Sequence, residues 1–168
     1  MESDHLPASI RVGRFEPSVY VRFRPAWTYI EGIREFGRFF CGATFNEPEV
    51  AERARVIIQE TLENAVKYSQ RTAHSELELT ISSDGKRLEI SVCSAPSPEH
   101  YGALKRELQQ LYARDPEQAY LAAFERAASD PEASARLGLA RLRYECGADL
   151  SVSEVEGGRI RVTASAAL

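Results

Sequence analysis

Long apolar runs, patterned cysteines and an excess of basic charge are all missing from this 168-residue chain. No segment approaches the roughly 20 consecutive apolar residues that a membrane-spanning helix needs. Met1 to Ser9 carries two acidic residues and no apolar stretch of the secretory kind. These features imply a flexible N-terminus over residues 1–9 and a cytoplasmic protein without membrane partners. The three cysteines, Cys41, Cys93 and Cys146, are odd in number, far apart and without CxxC spacing. They exclude a disulfide framework and point to reduced, buried thiols. His5, His74 and His100 are not spaced with them as a zinc site would require. Lysine is scarce, 3 against 18 arginines, and the net charge is −4. An acidic chain of this kind is not built chiefly to bind nucleic-acid phosphates. The densest basic cluster, Arg11, Arg14, Arg22 and Arg24, reads as the solvent face of a strand.

What is present suits a single domain over residues 1–168, because 43% hydrophobic content at this length supports one sizeable core. Ser18 to Arg24 alternates as a strand, and Trp27 to Gly42 has helical periodicity through Tyr29, Ile30, Ile33, Phe36, Phe39 and Phe40. Asn46-Glu47-Pro48-Glu49 opens a long helix that ends near Ser69. Two alternating strands, Glu76 to Ser82 and Arg87 to Cys93, are joined at Asp84-Gly85, a strong hairpin signal. A last helix closes at Gly147 and leads into a hairpin of Ala148 to Val155 and Arg159 to Ala164.

Between these elements, residues 96–132 repeat one helix-start signature three times: Ser97-Pro98-Glu99, Asp115-Pro116-Glu117 and Asp130-Pro131-Glu132. Each has a capping side chain, proline at the first helical position and an acid in the first turn. Tyr101, Leu104, Leu108, Leu111 and Tyr112 share one helical face, and Tyr120, Ala123, Phe124 and Ala127 share another. Such faces either bury into the domain, the commoner outcome, or meet a partner.

The long helix carries the densest chemistry. Glu60, Asn64 and Lys67 fall on one stripe at spacings of four and three, while Ala54, Ile57, Ile58, Leu62, Ala65 and Val66 form the apolar stripe opposite. Spacing alone also suits a plain solvated face.

The segment Gln59 to Ser69 resembles the N-box of the GHKL (Bergerat-fold) ATPases, which include histidine kinases, gyrase and anti-sigma-factor serine kinases. The resemblance extends to Leu137-Gly138-Leu139, similar to the tail of the family's second glycine box. It implies an α+β two-layer sandwich: a mixed, mostly antiparallel sheet covered on one face by helices, with residues 96–132 as a helical lid-like insertion. The element order is that of small bacterial partner-switching kinases. By the resemblance, Glu60 takes the place that orients water or an acceptor hydroxyl, Asn64 the Mg²⁺ place, and Lys67 the phosphate-facing place.

The chain also departs from that pattern. Ser134 and Arg136 stand where the earlier glycines of the second box belong, and Arg136 is either a phosphate clamp or a plug, the plug being favoured. Ser94 falls where the family has an adenine-reading aspartate, and no glycines follow it. Glu60, Asn64, Lys67, Ser94, Arg136 and Gly138 are thus the candidate site residues. The expectation is a regulatory protein-binding module of bacterial signalling that has lost efficient ATP turnover, needs no cofactor and binds an antagonist or a sigma-factor-like regulator. The alternative is an active Mg-ATP-dependent serine kinase. A second copy of the chain is a further candidate partner, through the helix bearing Phe36, Phe39 and Phe40.

Overall fold

Among the described residues, alternating apolar and polar residues build five strands: β1 (Val19–Phe23), β2 (Leu77–Ser83), β3 (Arg87–Ser94), β4 (Asp149–Val155) and β5 (Arg159–Ala167). A computed structural model of the chain describes residues 18–70, 72, 75–130 and 134–168, without the side chains of Ser134, Ala135 and Arg136. His5, Arg11, Arg14, His74, Pro131 and Glu132 therefore lie outside the described residues. The strands form one sheet in the order β1-β2-β3-β5-β4, and every pairing is antiparallel. The register places Val21, Leu79, Val92, Val162 and Val152 in one row across the sheet. That face carries the core, because a period of two sends each such row to the same side.

Among the described residues, five α-helices accompany the sheet: α1 (Ile30–Phe45), α2 (Pro48–Tyr68), α3 (Pro98–Tyr112), α4 (Pro116–Ser129) and α5 (Ser134–Glu145). The α+β two-layer architecture is as the sequence implies. Asp84-Gly85 makes the expected turn: Gly85 has φ 82°, and the Asp84 carboxylate accepts from the Lys86 and Arg87 N–H groups at 2.9 and 2.8 Å. Ser97 and Asp115 cap α3 and α4, accepting from the His100 and Gln118 N–H groups. Among the described residues, no helix is long and apolar enough to cross a membrane.

The apolar stripe of α2 buries as read: Ala54, Ile57, Ile58, Leu62, Ala65 and Val66 are all in the core. Removing each large side chain from water contributes about 1.5–3 kcal/mol. The apolar residues of α1 divide between two sides of the helix. Its buried residues are Ile30, Gly37 and Cys41, while Phe36 and Phe39 stay 47% and 72% exposed. The reason is backbone proximity. A Cβ at Gly37 would stand 2.1 Å from Ile58 Cδ1, so the helices meet through the glycine and the phenylalanines point elsewhere. Likewise α4 buries Ala119 and Ala123, whereas Phe124 is 55% exposed.

The helical segment after β3 is fastened at its far end. The Tyr112 hydroxyl donates to the Leu150 carbonyl at 3.2 Å and accepts from the Leu150 N–H at 2.7 Å, so it covers part of edge strand β4. Arg143 lies over the Tyr112 ring at 4.4 Å and donates to the carbonyls of Leu111 and Arg114. These bonds tie the end of α3 to α5 and β4.

Candidate functional site

A cavity of about 190 Å³ opens where α2, α3 and α5 meet β3 and β5. Its apolar walls come from Ala65 on α2, Val92 on β3, Leu104 on α3, Leu139 on α5 and Ile160 and Val162 on β5. Its polar groups are few: Thr61, Asn64, Ser94, His100 and Glu107. A concave, largely apolar space with a handful of polar groups is the usual form of a small-molecule site.

The sheet register explains why Ser94 is there. It shares the core face of β3 with Leu88, Ile90 and Val92, pairs with Ile160, and remains only 5% exposed. On α2, Asn64 is half-buried beside it. Thr61 also lines the cavity, with its hydroxyl already donating to the Ile57 carbonyl at 2.7 Å. At the far wall the His100 ring packs on Tyr68 with centroids 4.9 Å apart, and its Nδ1 lies 3.0 Å from the Ser97 hydroxyl.

Of the six residues singled out from the sequence, the structure brings Asn64 and Ser94 into this cavity. Glu60 sits one turn along α2 and is engaged by α5. Its Oε1 accepts from Arg141 at 3.3 Å, and a Cβ at Gly138 would lie 2.3 Å from its Oε2. Gly138 thus makes room for a carboxylate. Lys67 is exposed, with its ammonium 5.3 Å from the Tyr68 ring centre, and it does not line the cavity. Arg136 belongs to α5, and its side chain lies outside the described residues.

Sequence reading missed Arg141, His100 and Glu107. Arg141 is the most consequential, because its Nε also donates to Glu145 at 2.7 Å, so one guanidinium serves two carboxylates. The i,i+4 spacing to Glu145 was the one available signal, and it reads as an ordinary surface pair. Burial, then the nearby Glu63, pushes the Glu60 carboxyl up, and Arg141 opposes the shift. Tyr120 extends the cluster, donating to Glu145 at 3.3 Å and stacking on Tyr144 with centroids 5.1 Å apart.

The two ends of the region differ in what they can hold. A flat heterocycle suits the apolar walls, with the Ser94 hydroxyl as a neutral hydrogen-bonding group. Glu60 and Glu145 add two negative charges against one arginine. Among the described residues, no group of three or more His, Cys, Asp or Glu is placed to hold a metal.

No family model and no curated protein matches the chain. Among solved structures it is similar to a chain in the crystal structure of the SiaB-SiaC complex from Pseudomonas aeruginosa, with a TM-score of 0.68 and 18% sequence identity. The match covers 92% of this chain and 91% of that one, so the fold is shared over nearly the full length of both.

Proposed function

We propose that this chain is a regulatory protein-binding module of a bacterial signalling pathway, working as one half of a two-protein complex. Its fold resembles the GHKL ATPases, with the nucleotide site impaired. The observation that carries this reading is the engagement of Glu60. The side chain in the water-handling place is held by Arg141 and lodged against Gly138, and no carboxylate stands at the Ser94 position. The similar solved chain comes from a complex of two proteins, which supports a protein partner. An antagonist or a sigma-factor-like regulator is the kind of partner proposed. The lid-like helices supply an adhesive surface for it, since Leu121 and Phe124 on α4 are 53% and 55% exposed.

One observation favours a second reading, an active Mg-ATP-dependent serine kinase acting on a small antagonist protein. The apolar cavity beside Asn64 stays open instead of being filled by larger side chains. Interiors without a ligand to hold ordinarily pack tightly.

Capture of binding partners from the native host, with and without Mg-ATP, separates the two. The binding-module reading expects the same partner on wild type and Asn64→Ala baits, indifferent to nucleotide. A partner retained only with Mg-ATP, and lost with Asn64→Ala, would make the kinase the working account.

A further inference from the structure

Two polar side chains that line the apolar cavity have no hydrogen-bond partner among the described residues. They are Ser94, only 5% exposed on the core face of β3, and Asn64, half-buried on α2. Two other polar groups of the lining are already engaged. The Thr61 hydroxyl donates to the Ile57 carbonyl, with the Ile58 carbonyl 3.2 Å away, and His100 Nδ1 lies 3.0 Å from the Ser97 hydroxyl. A buried hydroxyl without a partner carries its full desolvation cost, which an apolar side chain of the same shape would avoid. Buried polar groups are nearly always paired, so two that converge on one apolar space point to a ligand that pairs them.

The walls set the body of that ligand. Val92, Leu104, Leu139 and Ile160 are apolar and come from four different elements. An engineered apolar cavity of about 150 Å³ holds one benzene ring, so a volume of about 190 Å³ suits a fused pair of rings. The polar pair sets the edge. A hydroxyl donates or accepts, and a carboxamide does both at once, so their complement is a ring carbonyl beside a ring N–H, the edge of a lactam. Charge sets the rest. Among the described residues no lysine or arginine lines the cavity, whereas Glu107 does, and a buried anion needs a cation to offset it. We propose that the cavity is a regulatory site for a neutral, phosphate-free bicyclic lactam, held at its edge by Ser94 and Asn64. Such a ligand touches Leu104 on α3 and Val92 on β3 together. It thereby fastens the near end of a helix whose far end Tyr112 and Arg143 already hold.

Isoquinolone, a neutral bicyclic lactam, is the probe, titrated into the full chain by ligand-observed NMR and by thermal unfolding. Saturable binding at sub-millimolar Kd with a raised melting temperature is the expected result. Isoquinoline, the same rings without the carbonyl, and naphthoate, a bicyclic anion, should each bind about tenfold more weakly or worse. Ser94→Ala should fold at least as stably as wild type, because it removes a hydroxyl with no partner, and yet lose about tenfold in affinity. Asn64→Ala should lose a similar factor. Amide exchange over residues 98–104 should slow when the probe binds wild type. No binding at millimolar isoquinolone would overturn the proposal, as would equal binding of the three probes or an affinity unchanged in both variants. The proposal rests on the impaired nucleotide site of the proposed function, and the two fail separately. Micromolar binding of Mg-ATP would refute that reading, whereas a chain inert to Mg-ATP and isoquinolone alike would refute the lactam site alone.

Discussion

Gly37→Ala is the sharpest test of how the two long helices are held together. The added Cβ would stand 2.1 Å from Ile58 Cδ1 and 3.3 Å from Ile81 Cδ1. Both isoleucines are at most 1% exposed, so neither has free space to rotate into. Overpacking of this kind costs about 1–3 kcal/mol. Alanine in place of glycine within a helix returns about 1 kcal/mol. The net loss is then about 0–2 kcal/mol, or up to about 8 °C in melting temperature for a domain of this size. The decisive assay is a double-mutant cycle by urea unfolding with Ile58→Val, which deletes the clashing methyl and alone costs about 0.5–1.5 kcal/mol. In the valine background Gly37→Ala should become neutral or stabilising, giving a coupling of at least about 1 kcal/mol. Additivity within about 0.5 kcal/mol would refute the close approach of α1 and α2 at this point.

Other consequences are independent of that contact. Tyr112→Phe removes the hydroxyl bonded to both Leu150 backbone groups and should cost about 1–2 kcal/mol in urea unfolding, with faster amide exchange at Leu150. Asp115→Ala should cost about 1 kcal/mol through loss of the α4 cap to the Gln118 N–H. Burial pushes the Cys41 thiol up to about 11, and burial with Glu145 does the same for Cys146. A thiol reagent at about pH 8 should therefore react slowly with the native chain and take up three equivalents on unfolding. The Glu60 carboxyl is raised above its ordinary 4.5 by burial first and Glu63 second. A raised carboxyl binds its proton more tightly when folded, so its contribution is fully present below the ordinary value and is lost as pH rises through the folded one. Glu60→Gln should flatten that decline, read as urea midpoints across about pH 4–7.

Much of the architecture was legible because it rests on local rules. The capped starts at Ser97 and Asp115, the Asp84-Gly85 turn and the apolar stripe of α2 are each set by residues within a few positions of one another. On α1, periodicity alone could not tell which side packs inward, because that was decided by backbone approach at Gly37, and periodicity counts side chains. The face with Phe124 was left open between burial and a partner, and it is settled by packing: the small Ala119 and Ala123 bury and leave the larger ring outside. At the site, Asn64 and Ser94 could be placed together from their motifs alone. Lys67 could not, since its position after Val66 turns it to solvent. Arg141 depends on α5 lying against α2, a contact between residues 81 apart that no local pattern announces.

The most direct test of the central claim is calorimetric titration of Mg-ATP and Mg-ADP into the purified chain, alongside thermal unfolding at saturating nucleotide. A chain whose Glu60 is committed to Arg141 and whose Ser94 offers only a hydroxyl should give no heat and no shift in melting temperature at millimolar nucleotide. Micromolar binding that Asn64→Ala removes would contradict the account and establish a working nucleotide site.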